Sequence, residues 1–264
     1  MRVVSATEAK NIDGYREALT ELLFQLADDE LIVGHRDSEW LGLAPDIEED
    51  VAFSSIAQDE VGHAVYYFER LHELGEADAD RLAFDRRADQ RRHAVVLERP
   101  NGDWAYTIAR HFFYDVFDQI RLEALSDSGY VPLAQGVAKI RREEHYHLLH
   151  MRLWFTRLGS AGGEAEARMR RAIRDLWPDI GGLFSLGDVE RPLVEFGIIP
   201  FGAAELQRRW ERQVRPAFEE AKLPWPGSPV VPATDGRKGK HTSDLDRLLD
   251  SMTEVFRMDP AARW

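Results

Sequence analysis

Two Glu-x-x-His motifs carry the clearest chemical signal in this chain: Glu60-Val61-Gly62-His63 and Glu144-His145-Tyr146-His147. A lone carboxylate precedes each at nearly the same distance, Glu30 before Glu60 and Asp115 before Glu144. Positions i and i+3 share a helix face, so each Glu can hold an ion together with its His. The two halves supply carboxylates from Glu30, Glu60, Asp115 and Glu144 and imidazoles from His63 and His147. That is the donor set of a di-iron or di-manganese centre inside a four-helix bundle. Four carboxylates balance two divalent cations, and oxygen and imidazole donors without thiolate suit iron or manganese. A centre of this kind with open positions binds and activates dioxygen.

The assignments differ in how tightly the sequence fixes them. Glu60, His63, Glu144 and His147 follow from the motifs themselves. Glu30 sits between Ala27 and Val33 on an apolar stripe, with Asp28 and Asp29 as rivals. On the third helix Asp115 competes with Asp118 and Glu123. Metal-bound histidines commonly donate their second ring N–H to a carboxylate. Asp59 and Glu143, each just before a motif, are therefore candidates to orient the histidine of the opposite half, with ordinary surface acids as the competing reading. His35, His111, His145 and His150 read as surface residues or outer partners of the ligands. Tyr114 and Tyr146 read as core packing rather than as radical hosts.

Long helices must position these residues. Apolar residues near a 3.6-residue period predict a helix over about 14–37, and a second over about 46–74 after the breakers of Gly42–Pro45. Phe53, Ile56, Ala57, Glu60, His63, Ala64 and Tyr67 form the inner face of the second. An arginine-rich connector leads to Pro100-Asn101-Gly102-Asp103, where Asp103 is a plausible N-cap. The third helix then carries Ile108, His111, Phe112, Asp115, Gln119 and Leu122 on one stripe. The fourth, after a break near Ser128–Pro132, carries Val137, Ile140, Glu144, His147, Leu148, Met151, Trp154 and Phe155. The ligands thus lie within apolar stripes, where a carboxylate is expensive to bury and a metal ion repays the burial. Shorter helices are expected over 164–176, 203–223 and 242–256, with an extended Pro/Gly-rich arm over 223–240 that holds the basic cluster Arg237-Lys238-Gly239-Lys240.

Composition narrows the classes. With 44% hydrophobic and 31% charged residues over 264, the chain reads as one all-α domain, a core bundle over about 14–157 with accessory helices and the arm over 158–264. It has no cysteine, which excludes disulfides and thiolate metal sites. A net charge of −13 argues against nucleic acid as a partner. Neither a membrane-length apolar run nor a signal-peptide pattern is present, so no membrane partner and a cytoplasmic location are expected. No Gly-x-Gly-x-x-Gly follows a strand, so no flavin or nicotinamide site is expected, and reducing equivalents would come from an external reductase.

From about residue 14 onward the chain resembles the PaaC-type subunits of phenylacetyl-CoA epoxidases, a multicomponent ring-oxygenating system. The resemblance rests on Ser38-Glu39-Trp40 with Ala44-Pro45, on Arg99-Pro100-Asn101-Gly102-Asp103 leading into Thr107-Ile108-Ala109-Arg110, and on Tyr146-His147-Leu148. It continues through His241-Thr242, Leu245, Leu248, Leu249, Met252, Pro260 and Trp264. It implies a ferritin-like four-helix bundle, phenylacetate catabolism and assembly with a homologous subunit. Subunits of this type are usually regarded as structural partners lacking several metal ligands. Here Glu30, Glu60, His63, Asp115, Glu144 and His147 all stand where the catalytic PaaA-type subunit has its ligands, and Gln58-Asp59-Glu60-Val61-Gly62-His63 looks like that subunit's motif.

Three readings follow. The first is a di-iron oxygenase component (manganese as the alternative metal) acting on an aromatic acyl-CoA with a homologous ferritin-like subunit or a second copy of itself. The second is a non-catalytic structural subunit of that complex whose metal site is vestigial or stabilising. The third is a stand-alone di-metal oxidase or iron-handling protein. Arg208, Arg209, Arg212 and Arg215 offer a CoA phosphate contact, against which stands a solvated helix face.

Overall fold

A computed structural model describes residues 1–262, so Trp264, the last residue of the resemblance, lies outside the described residues. The regular elements of the described residues are helices. Among the described residues the only β pairing is an isolated parallel bridge between Val3 and Tyr130. The helices are α1 (Ala6–Lys10), α2 (Tyr15–Ser38), α3 (Ile47–Glu73), α4 (Ala79–Phe84), α5 (Val95–Glu98) and α6 (Trp104–Leu125). They continue with α7 (Val131–Ser160), α8 (Gly163–Ile180), α9 (Glu190–Glu195), α10 (Ala203–Glu220), α11 (Ser243–Met252) and α12 (Glu254–Met258). Among the described residues no helix is long and apolar enough to cross a membrane.

Local chemistry sets the ends of the long helices. Asp46 accepts from the Glu49 N–H at 2.9 Å at the start of α3, and Asp103 accepts from the Tyr106 N–H at 3.0 Å at the start of α6. Each side chain satisfies a backbone donor the helix cannot, worth about 1 kcal/mol. The first turn of α3 carries Glu48, Glu49 and Asp50, and its last turn Arg70 and His72, matching the helix dipole at both ends. Pro132 lies in the first turn of α7, where a missing N–H costs nothing. The terminal helical stretch is broken in two at Thr253, whose hydroxyl donates to the Leu249 carbonyl at 2.7 Å.

The helices sort into two compact units. The first comprises residues 1–19 and 101–233, and the second residues 20–100 together with the chain from Thr234 onward. In the first unit α6 is buried along nearly its whole length, including the charged Arg110, Asp115, Asp118 and Arg121. Phe113 holds its rotation: the ring packs on Phe155, Trp177, Trp210 and Phe218 at centroid distances of 5.7 to 6.0 Å. The Phe113 carbonyl also accepts from the Trp210 indole at 2.9 Å. Residues two apart on a helix point to nearly opposite sides, so this aromatic anchor turns His111 and Asp115 the other way.

In the second unit α2 and α3 approach closely at Gly34. A Cβ there would lie 2.8 Å from Glu60 Cβ and 3.2 Å from the Ala57 carbonyl oxygen, closer than packed atoms sit. Glycine is what brings the Glu30 and Glu60 backbones within reach of one another.

Candidate metal centre

The ligand candidates of the second unit are assembled. Glu30 on α2 and Glu60 on α3 are fully buried, and His63 is 3% exposed. His63 Nδ1 lies 3.4 Å from Glu30 Oε2 and 3.6 Å from Glu60 Oε2. One donor atom from each of the three falls within 4.8 Å of the others. Two donors bonded to one ion at about 2.1 Å and at angles of about 90–110° stand roughly 3.0–3.4 Å apart. The observed spacing is close to that of co-ligands and longer than ordinary hydrogen bonds.

The first unit holds a matching set. His147 Nδ1 lies 3.3 Å from Glu144 Oε1, both on α7 and both buried. On α6, His111 Nδ1 meets Asp115 Oδ1 at 2.5 Å. Burial pushes the Asp115 carboxyl up to about 6, with the Glu144 charge adding to the rise and His111 opposing it. His111 is thus the outer partner of a ligand candidate, one of the two roles its sequence position allows.

The rival acids are occupied elsewhere. Asp28 receives the Arg86 guanidinium on both oxygens, the Arg92 N–H at 2.8 Å and Arg91 at 3.6 Å. Burial alone would raise its carboxyl, yet Arg86 and Arg91 hold it below the usual carboxylate range. Asp29 takes a bidentate pair from Arg237, at 2.7 and 2.9 Å, and the Ala94 N–H at 3.0 Å. Asp118 accepts from Arg121 Nε at 2.9 Å, and Glu123 lies 3.7 Å from Arg141 at the surface. Asp59 is half-buried, and Glu143 lies 3.0 Å from Lys139 Nζ on its own helix. His145 is exposed, and His35 and His150 are half-buried. Tyr114 is core, its hydroxyl accepting from Arg121 at 3.2 Å. Tyr146 is not: at 71% exposure it points outward from α7. Arg208 and Arg209 hydrogen-bond Glu205, Arg212 lies 3.8 Å from it, and Arg215 pairs with Glu211, all along α10.

A second cluster escaped the sequence reading. Glu98 is fully buried; its Oε2 lies 2.8 Å from His93 Nε2 and 2.7 Å from His241 Nδ1. Its Oε1 accepts from the Thr242 N–H and hydroxyl, each at 2.7 Å. His93, Glu98 and His241 also bring donor atoms within metal-ligand range. Their 2.7 to 2.8 Å separations are hydrogen-bond lengths, and both Glu98 oxygens are taken. This is a closed hydrogen-bonded node. His241-Thr242 was its one signal in the sequence, and only as part of the family resemblance.

Known proteins share this sequence along its length. A family model described as phenylacetic acid catabolic protein matches residues 1–264. The chain is 35% identical over 247 residues to the C subunit of 1,2-phenylacetyl-CoA epoxidase from Escherichia coli (strain K12), covering 93% of this chain and 99% of that protein. It is 26% identical over 215 residues to the A subunit of 1,2-phenylacetyl-CoA epoxidase from the same organism, covering 78% and 68% respectively. The chain belongs to the phenylacetic acid catabolic protein family, and its all-α structure is consistent with the family's ferritin-like fold.

Proposed function

We propose that this member of the phenylacetic acid catabolic protein family is one component of a multicomponent oxygenase that epoxidises the ring of an aromatic acyl-CoA, and that it carries its own di-metal site. The observation that carries the reading is the buried triad Glu30–Glu60–His63 at near co-ligand spacing, matched in the other unit by Asp115, Glu144 and His147. Each set of three offers one ion two carboxylates and one imidazole, Glu30, Glu60 and His63 in one unit and Asp115, Glu144 and His147 in the other. Two carboxylates against one divalent ion leave each set close to neutral, and hard oxygen and imidazole donors fit iron first and manganese second. When bound, the ions supply the reductive activation of dioxygen, with electrons from a separate reductase. The residues of this chain contribute buried carboxylate and imidazole donors. His111 holds the Asp115 carboxylate in place, as outer partners of metal ligands do.

Partners follow from the relatives, which are the C and A subunits of one epoxidase. On α7, Tyr146, Leu149 and Leu153 are at least half exposed on one stripe, which suits contact with a homologous subunit or with a second copy of this chain. That stripe also favours the second reading, a structural role in the complex. The experiment is reconstitution of the chain with a homologous partner and a reductase, following oxidation of phenylacetyl-CoA. The first reading expects Glu144→Ala in this chain to abolish turnover while the complex still assembles. Full turnover in that variant assigns the chemistry to the partner and leaves this chain the structural role.

A further inference from the structure

The arm read from the sequence as extended is a fitted strap over 234–244. At Gly236 an added Cβ would fall 2.0 Å from the His93 carbonyl oxygen, and at Gly239, with φ +68°, 2.2 Å from that of Asp89. The strap therefore lies backbone to backbone on the connector, at two points where only glycine fits. Between them Arg237 turns inward, 2% exposed, and donates to both oxygens of Asp29 and to the Arg92 carbonyl at 2.8 Å. Beyond them His241 and Thr242 close on Glu98, and Arg99 pairs with Asp244 at 3.0 Å. Asp29 immediately precedes Glu30 on α2.

Adjacent helical residues point about 100° apart, so α2 offers Asp29 to the strap and Glu30 toward α3. We infer that Arg237 is a positioning residue for Glu30: by pinning Asp29 it fixes the rotation of α2 and hence the distance of Glu30 from Glu60 and His63. The inference rests on the metal reading above. With the carboxylate about 6 Å from the helix axis, a rotation of about 15° moves it roughly 1.5 Å, enough to spoil coordination. The C-terminal strap is then part of the metal site without contacting the metal, and loading requires the strap to be docked.

The test is an anaerobic Co2+ titration of the metal-free full chain, read by visible absorption, for wild type, Arg237→Gln, Arg237→Lys and the surface control Arg208→Gln. It is paired with hydrogen exchange on the same metal-free proteins. Arg237→Gln is expected to weaken Co2+ binding on the order of 10-fold, the scale of outer-partner losses, and to shift the absorption bands. Lysine keeps the charge but not the two-pronged donor, so Arg237→Lys falls between. Amides over residues 26–33 exchange faster in both variants while those of α7 do not, and Arg208→Gln matches wild type. Wild-type Co2+ affinity and bands in both Arg237 variants, whatever their melting temperatures, would make the strap a structural peg and overturn the inference alone. Should Arg237→Gln not fold, Arg237→Lys decides the same question. Wild type that binds no Co2+ overturns the inference together with the metal reading beneath it.

Discussion

Asp28, Asp29 and Glu30 are consecutive on one helix and all fully buried, yet they face different chemistry. Asp28 and Asp29 meet guanidinium groups from Arg86, Arg91 and Arg237, mostly at hydrogen-bond distance. Glu30 lies 3.4 Å from the His63 imidazole, longer than those hydrogen bonds and close to the spacing of co-ligands. The same contrast separates Glu98, closed on two histidines and a threonine at 2.7 to 2.8 Å, from Glu60, 3.6 Å from His63. One region is a carboxylate network satisfied by guanidinium, imidazole, hydroxyl and backbone N–H groups the chain itself supplies. In the other, the spacing suits a metal. A buried charge tolerates the interior only with a partner, and the two regions differ in how close these partners lie.

The contrast is sharpest where a charge is deleted. Arg237→Met strips the cation from Asp29 inside the satisfied network. Breaking a buried pair from one side typically costs about 3–5 kcal/mol, and urea denaturation of the metal-free chain should show a loss on that scale. A loss under about 1 kcal/mol would mean that the strap is not closed in solution.

Acid tests the Glu98 node. Burial, reinforced by His241, pushes His93 down to about 4, so the folded chain keeps it neutral where an unfolded chain, near 6.5, takes up a proton. The unfolded state binds more protons between those values, so stability falls as pH drops from about 6.5 to 4. The Glu98 carboxyl is also held low: burial opposes, but hydrogen bonds from His241 and His93 win. Its contribution is present above the ordinary carboxylate range and is lost as pH falls further. From His93 alone, on the order of 3 kcal/mol should disappear over that interval. Unfolding midpoints at pH 7 and pH 4 measure it, and His93→Gln should remove this share of the slope. An unchanged slope in the variant would place the acid sensitivity elsewhere.

Gly34 probes the other region. Alanine there must push α2 and α3 apart against Glu60, costing about 1–3 kcal/mol as overpacking does. Metal binding should also be weaker in Gly34→Ala than with an alanine at exposed Gly62, which has open space around it. Equal metal affinity in the two variants would detach the helix spacing from the site.

Much of this architecture could be read from residue order, because its causes are local. The caps at Asp46 and Asp103 satisfy donors within three residues; α6 begins where the Asp103 cap predicts, and α3 begins just past the Gly42–Pro45 breakers. The Glu-x-x-His pairs depend only on helical period, and Glu60–His63 and Glu144–His147 are neighbours as that period requires. What escaped was non-local. Arg237 sits in a basic, glycine-flanked stretch that resembles a solvated arm, and its partner Asp29 is 208 residues away. Glu98, His93 and His241 look like scattered connector residues until the strap folds back. The sequence favours Glu30 over Asp28 and Asp29 by its place between Ala27 and Val33, and the arginines that occupy the two rivals come from distant parts of the chain. The break at Thr253 was missed because a helical Thr reads as helix unless its hydroxyl is seen bonding the preceding turn.

The most direct test of the central claim is metal content. The full chain, purified under iron-replete conditions, is measured by elemental analysis beside Glu60→Ala/Glu144→Ala. About two iron or manganese ions are predicted per wild-type chain, as a two-metal site requires, and nearly none in the double variant. A wild-type chain that holds no transition metal even after anaerobic reconstitution would contradict the claim, and the histidine–carboxylate triads would then be structural contacts like those around Glu98.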